Sequence, residues 1–89
     1  MGLNKREIAV LAETSKDNYT VEIKAVEQGL WKIDITVIQP ENRFEVFTSR
    51  GDLKTWRNLA DAVLFVQETC ADCKNVSIAV NQWTFTRST

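Results

Sequence analysis

Tyr19-Thr20-Val21-Glu22-Ile23-Lys24-Ala25, answered beyond Gln28-Gly29 by Trp31-Lys32-Ile33-Asp34-Ile35-Thr36-Val37, decides the fold class. In each half the odd-numbered residues are apolar and the even-numbered ones polar, the period of two expected of a strand with one buried face. Gln28-Gly29 turns the chain between them, so the two halves read as an antiparallel hairpin. One face of that hairpin is a continuous apolar row, and the remainder of the chain has to cover it.

Working outward, Asn4 followed three residues later by Glu7 signals the start of a helix. Ile8, Leu11, Ala12 and Ser15 share one stripe of that helix, and Asp17-Asn18 ends it. On the other side, Gln39-Pro40-Glu41-Asn42 is a turn. A third strand is predicted from about Arg43 to Ser49, and Arg50-Gly51-Asp52 turns into a short fourth strand from about Leu53 to Trp56. Asn58 is placed to cap a second helix whose apolar positions are Leu59, Ala62, Val63, Val66 and Cys70, with Asp61 suiting its positive end. Ala71 to Asn75 is a loop. Val76, Ile78 and Val80 alternate as a last strand, which Trp83 and Phe85 continue after a one-residue phase slip at Asn81-Gln82 that suggests a bulge. The expectation is one α+β domain over residues 1–89, in two layers. An antiparallel sheet of four to five strands carries both helices on one face, in the order α-β-β-β-β-α-β.

A chain of 89 residues buries roughly 60–65% of its extended surface, enough for a single modest core. Its 44% hydrophobic content is that of a packed domain rather than a disordered one. A net charge of −1 lacks the basic footprint usual in nucleic-acid binders. No apolar run approaches the ~18–20 residues of a membrane span. The charged start Met1-Gly2-Leu3-Asn4-Lys5-Arg6-Glu7 does not resemble a secretory signal, and two cysteines without one predict a cytoplasmic protein with free thiols.

Catalysis is not expected. The chain has no histidine and only three glycines, so it offers neither a neutral-pH general base nor a glycine-rich phosphate loop. Cys70-Ala71-Asp72-Cys73 supplies only half of a zinc site. Its first cysteine falls near the C-terminal end of the second helix, where the dipole disfavours a thiolate. No cofactor or metal is therefore predicted. Arg50-Gly51-Asp52 is a turn, because its glycine admits positive φ, and Asn75-Val76-Ser77 is no glycosylation acceptor in a cytoplasmic protein.

Two groups of residues remain as candidates for function. Arg43, Arg50, Lys54, Trp56 and Arg57 place four cations and an aromatic around the third turn, a combination able to hold phosphates or stack on bases. Phe47, Leu64, Phe65, Trp83 and Phe85 exceed what the core pattern absorbs and would bury against a protein partner or a second copy.

Met1-Gly2-Leu3-Asn4-Lys5-Arg6-Glu7-Ile8-Ala9 and Thr48-Ser49-Arg50-Gly51-Asp52-Leu53-Lys54-Thr55-Trp56-Arg57-Asn58-Leu59-Ala60-Asp61-Ala62 resemble small partition-associated proteins of bacterial conjugative plasmids, the ParC type that is unrelated to the topoisomerase subunit. The two segments cover about a quarter of the chain. The resemblance implies a cytoplasmic accessory role in plasmid maintenance without enzymatic activity, and it carries over no functional residues. The Cys70/Cys73 pair is not a feature of that family. The helix–strands–helix order is also similar to double-stranded RNA-binding domains, but that fold opens its second helix with lysines. Asn58, Leu59, Ala60 and Asp61 stand there instead. The functional expectation is a non-enzymatic accessory protein of a mobile element with a protein partner, including a possible homodimer. Nucleic-acid binding through the basic turn, and inhibition of host defence of the anti-CRISPR or anti-restriction kind, are the alternatives.

Overall fold

A computed structural model describes residues 2–87. The elements in chain order are β1 (Gly2–Leu3), α1 (Lys5–Thr14), β2 (Tyr19–Val26), β3 (Leu30–Val37), β4 (Asn42–Val46), α2 (Leu59–Thr69), β5 (Asn75–Val80) and β6 (Trp83–Thr86). The strands form one six-stranded sheet ordered β1-β4-β3-β2-β5-β6. The α+β class and the two helices agree with the sequence reading, and the strand count and directions do not.

The β2–β3 hairpin pairs along its full length, from Tyr19 opposite Val37 to Val26 opposite Leu30. Val21, Ile23, Ile33 and Ile35 on its helix side are buried, together with Val46 of β4 and with Ile8, Ala62 and Val66 of the helices. Each fully buried aliphatic side chain of this kind contributes about 1.5–3 kcal/mol of transfer free energy, so this shared face outweighs any local propensity. Both helix starts are as predicted. The Asn4 side chain accepts from the Glu7 N–H at 2.9 Å while Glu7 accepts from the Asn4 N–H at 3.0 Å. The Asn58 side chain accepts from the Ala60 N–H at 2.8 Å.

The sheet is mixed rather than antiparallel. β1 runs parallel to β4, and β5 runs parallel to β2. The reason is the position of the helices in the chain. A helix that returns across the sheet uses one traverse, so the strand after it runs in the direction of the strand before it. β1-α1-β2 and β4-α2-β5 are two such units, interleaved in one sheet. The two-residue β1 is too short to show a period of two and was not expected.

Two other expectations are corrected. Leu53–Trp56 is not a strand; it meets its neighbours at two isolated bridges, Phe47 to Leu53 and Trp31 to Trp56. The turn before it closes tightly, with the Thr48 N–H donating to the Asp52 carbonyl at 2.7 Å. Four alternating residues are too few to specify continuous pairing. Asn81-Gln82 is a two-residue hairpin turn, with Asn81 at φ +55° and Trp83 paired back onto Val80. Residues flanking such a turn share a face, which is why it looked like a slip of phase.

The face of the sheet away from the helices is polar. Asp34 is only 3% exposed there. Lys24 lies 3.2 Å from one of its oxygens and Lys32 lies 3.4 Å from the other, while Lys32 also bonds Glu45 at 2.9 Å. Lys24 and Lys32 are directly opposite each other across the hairpin, and Asp34 between them relieves a like-charge contact that would otherwise oppose pairing.

Gly2 explains how so short a strand as β1 holds. A Cβ at this position would run into the Phe47 ring, so only glycine lets the backbone approach it. Gly2→Ala should therefore lower unfolding stability by about 1–3 kcal/mol, as overpacking does. Urea denaturation would show it, and an unchanged midpoint would mean that the Phe47 ring moves aside freely.

Candidate interaction surface

The basic residues expected to act together stand on β4, in the turn after it and in the approach to α2. Arg43 lies on the open face of the sheet opposite Thr36. Arg50 is exposed in the turn that Gly51 makes possible at φ +91°, and Arg57 is exposed just ahead of α2. Lys54 Nζ lies 5.2 Å from the centre of the Trp56 ring, so cation and aromatic do pair. That ring, however, packs on Phe65 of α2 at 5.0 Å between centroids. Trp56 is further held by two backbone hydrogen bonds to Trp31, each 2.8 Å. Trp56 is thus a clamp between the sheet and α2 rather than a free stacking platform. Lys54 also borders a depression of about 480 Å³ together with Lys5 and Arg6. Sequence reasoning did not join those two to Lys54, because the link is spatial and depends on β1 pairing with β4.

The apolar candidates separate into three places. Phe47 and Phe65 are half-buried, under Gly2 and Trp56 respectively. Leu64 is 52% exposed and occupies the side of α2 away from buried Ala62 and Val66. Trp83 and Phe85 of β6 are 70% and 54% exposed, and their rings stack with centroids 6.2 Å apart. Ile78 of β5 stands beside Phe85 and beside Ile23 of β2, so both aromatic residues lie on the helix side of the sheet. No helix covers them. They extend the core surface past the reach of α2 as an apolar wing.

Between this wing and α2 lies an open cleft of about 510 Å³, walled by Val63, Val66 and Gln67 on the helix and by Val76, Ile78 and Phe85 on the strands. Its size is that of a ligand or side-chain pocket. Cys70 and Cys73 line its inner end and are unbridged. Arg87 stands at the rim, its guanidinium 3.4 Å from the Lys74 carbonyl. Gln67 and Arg87 escaped the sequence reading, and Val63 was read there as core alone; the signal available was that a helix with apolar residues at 59, 62, 63, 66 and 70 has a wider stripe than one contact needs.

Both thiols hold their protons more tightly than an ordinary cysteine. Burial pushes the Cys70 thiol up, against an opposing hydrogen bond from Thr69. Burial also raises Cys73, partly countered by the charge of Arg87. The Tyr19 hydroxyl, fully buried beside them, has no hydrogen-bond partner among the described residues that meets ordinary geometry. Burial and the neighbouring Cys70, Cys73 and Asp72 push it far above its ordinary value. Among the described residues no group of three or more His, Cys, Asp or Glu side chains could hold a metal. Comparison with known proteins found no matching family model, no matching curated protein and no matching solved structure. No helix among the described residues is long and apolar enough to cross a membrane.

Two outcomes follow from this geometry. Trp56→Ala should cost about 3 kcal/mol, the range for removing a packed aromatic, whereas Arg50→Ala should change stability by less than about 0.5 kcal/mol; chemical denaturation of both variants separates clamp from turn. The second concerns pH. Groups that hold their protons more tightly when folded stabilise fully below their ordinary pKa, and that share is lost as pH rises. The thiols start this decline near 9.0 and Tyr19 near 10.0. The urea midpoint should therefore be flat from neutrality to the onset near pH 9 and fall beyond it. Tyr19→Phe should fall less steeply above pH 10, and a midpoint that rises across this range would contradict the assignment.

Proposed function

We propose that this chain is a non-enzymatic interaction module, an accessory protein of a bacterial mobile element acting in plasmid partition or maintenance. Its working surface is the β6 wing with the cleft beside it, and its partner is a protein. The observation that carries the module reading is the exposure of Trp83 and Phe85 on the helix side of the sheet, continuous with the apolar cleft of α2. Monomers seldom leave contiguous apolar surface uncovered without a use for it, and aromatic residues are the usual anchors of protein interfaces. That the chain has no histidine and that burial raises both thiols favour the non-enzymatic reading. The plasmid role rests on the resemblance of residues 1–9 and 48–62 to partition-associated proteins. Nucleic-acid binding has less support, since Trp56 is committed to Phe65.

A plasmid-retention assay tests this reading. Deleting the gene from its replicon should raise the fraction of plasmid-free cells over tens of generations. A Trp83→Ser, Phe85→Ser double variant should fail to restore retention, while its circular dichroism spectrum and urea midpoint stay near those of the parent. Full restoration by that variant would remove the wing from the function.

A further inference from the structure

We propose that the partner of β6 is β6 of a second copy of this chain, paired antiparallel across a two-fold axis at Phe85. The inference deepens the reading of the wing as the working surface and rests on it.

The outer edge of β6 is open in a specific pattern. The Arg87 N–H donates to the Val76 carbonyl at 2.8 Å, and Arg87 and Val76 continue the register in which Phe85 faces Ile78 and Trp83 faces Val80. In an antiparallel ladder the bonded pairs alternate, so Trp83, Phe85 and Arg87 bond inward to β5. The N–H and C=O groups of Thr84 and Thr86 therefore point outward, and no described residue bonds them. Sheets usually blunt such an edge with charge, proline, a bulge or brevity. β1, at the opposite edge, is two residues long and followed by Lys5 and Arg6. β6 is Trp83-Thr84-Phe85-Thr86, with no charge and no proline.

A second copy satisfies this edge in a way other occupants do not. Outward groups have to meet outward groups, and with the two-fold axis at Phe85 each Thr84 lies opposite Thr86 of the second copy. Four backbone hydrogen bonds form and none is left over within the strand. The strand is neutral, so nothing repels its own copy at the axis. The two Phe85 rings meet on the helix side, covering the exposed apolar surface. The same register sets Trp83 opposite Arg87 of the second copy, a guanidinium beside an indole. A twelve-stranded sheet results, and the two clefts beside α2 merge over its centre. The contact is a single short strand, small for a permanent interface, so monomer and dimer are expected to exchange with concentration.

Sedimentation equilibrium of the full chain across micromolar concentrations tests this. The parent should shift from monomer to dimer mass. Thr84→Pro should remain monomeric with an unchanged urea midpoint, because the N–H it deletes points away from β5. Phe85→Lys, which brings two like charges together at the axis, should also remain monomeric. Arg87→Ala should weaken the dimer about fivefold to thirtyfold, because the two-fold axis makes this partly exposed cation–π contact twice. A parent that is monomeric at every concentration overturns the pairing, as does a dimer that survives both Thr84→Pro and Phe85→Lys. A monomeric parent whose Trp83→Ser, Phe85→Ser variant still loses retention would end the self-pairing alone. A dimer broken by these substitutions with retention intact would end the functional role of the wing and leave the pairing standing.

Discussion

The structure depends on the pairing of β2 with β3. Eight consecutive residue pairs hold Val21, Ile23, Ile33 and Ile35 in one plane, and both helices exist as stable elements because that plane needs covering. A helix of 10 or 11 residues is marginal in isolation, since nucleating it costs more than a few turns return. Here α1 and α2 are held by Ile8, Ala62 and Val66 against the hairpin, with their caps setting where they begin. The other face of the same hairpin brings two lysines together, and Asp34 with Glu45 neutralises them. One pairing thus sets both the apolar layer and the order of charges behind it.

Much of this was readable in the residues. The hairpin, both caps and the buried faces follow from period and capping chemistry, which act over a few neighbouring positions. Strand direction was readable only in part: α2, standing between the earlier strands and the last one, implied a parallel neighbour for β5, whereas α1 had no strand read ahead of it. What lay beyond reach was pairing across distance. Nothing local in Gly2-Leu3 says that it adds to β4, and nothing in Leu53–Trp56 says that it touches the sheet at two bridges and no more.

The candidate surface shows the same division. Trp83 and Phe85 were visible as apolar residues in surplus, and they are exposed. Phe47 and Phe65 carried the same signal, yet each is half-buried against a residue distant in sequence, Gly2 and Trp56. The basic residues are adjacent along the chain, but Trp56 among them is taken up by Phe65 of α2. A stretch rich in one chemistry becomes a site only when the fold leaves its residues free.

The position of β2 between β3 and β5 bears on how the chain is made. As the polypeptide emerges from its N-terminus, β1 waits for residues near 45 before it has anything to pair with. β2 presents an unfilled edge until residues 75–79 arrive. The domain therefore cannot close progressively behind the growing end; its sheet is completed only once residues 75–86 have been made. Such distant pairings fold slowly, and during synthesis the apolar centre of the sheet stays open to any extended segment that reaches it before β5 does.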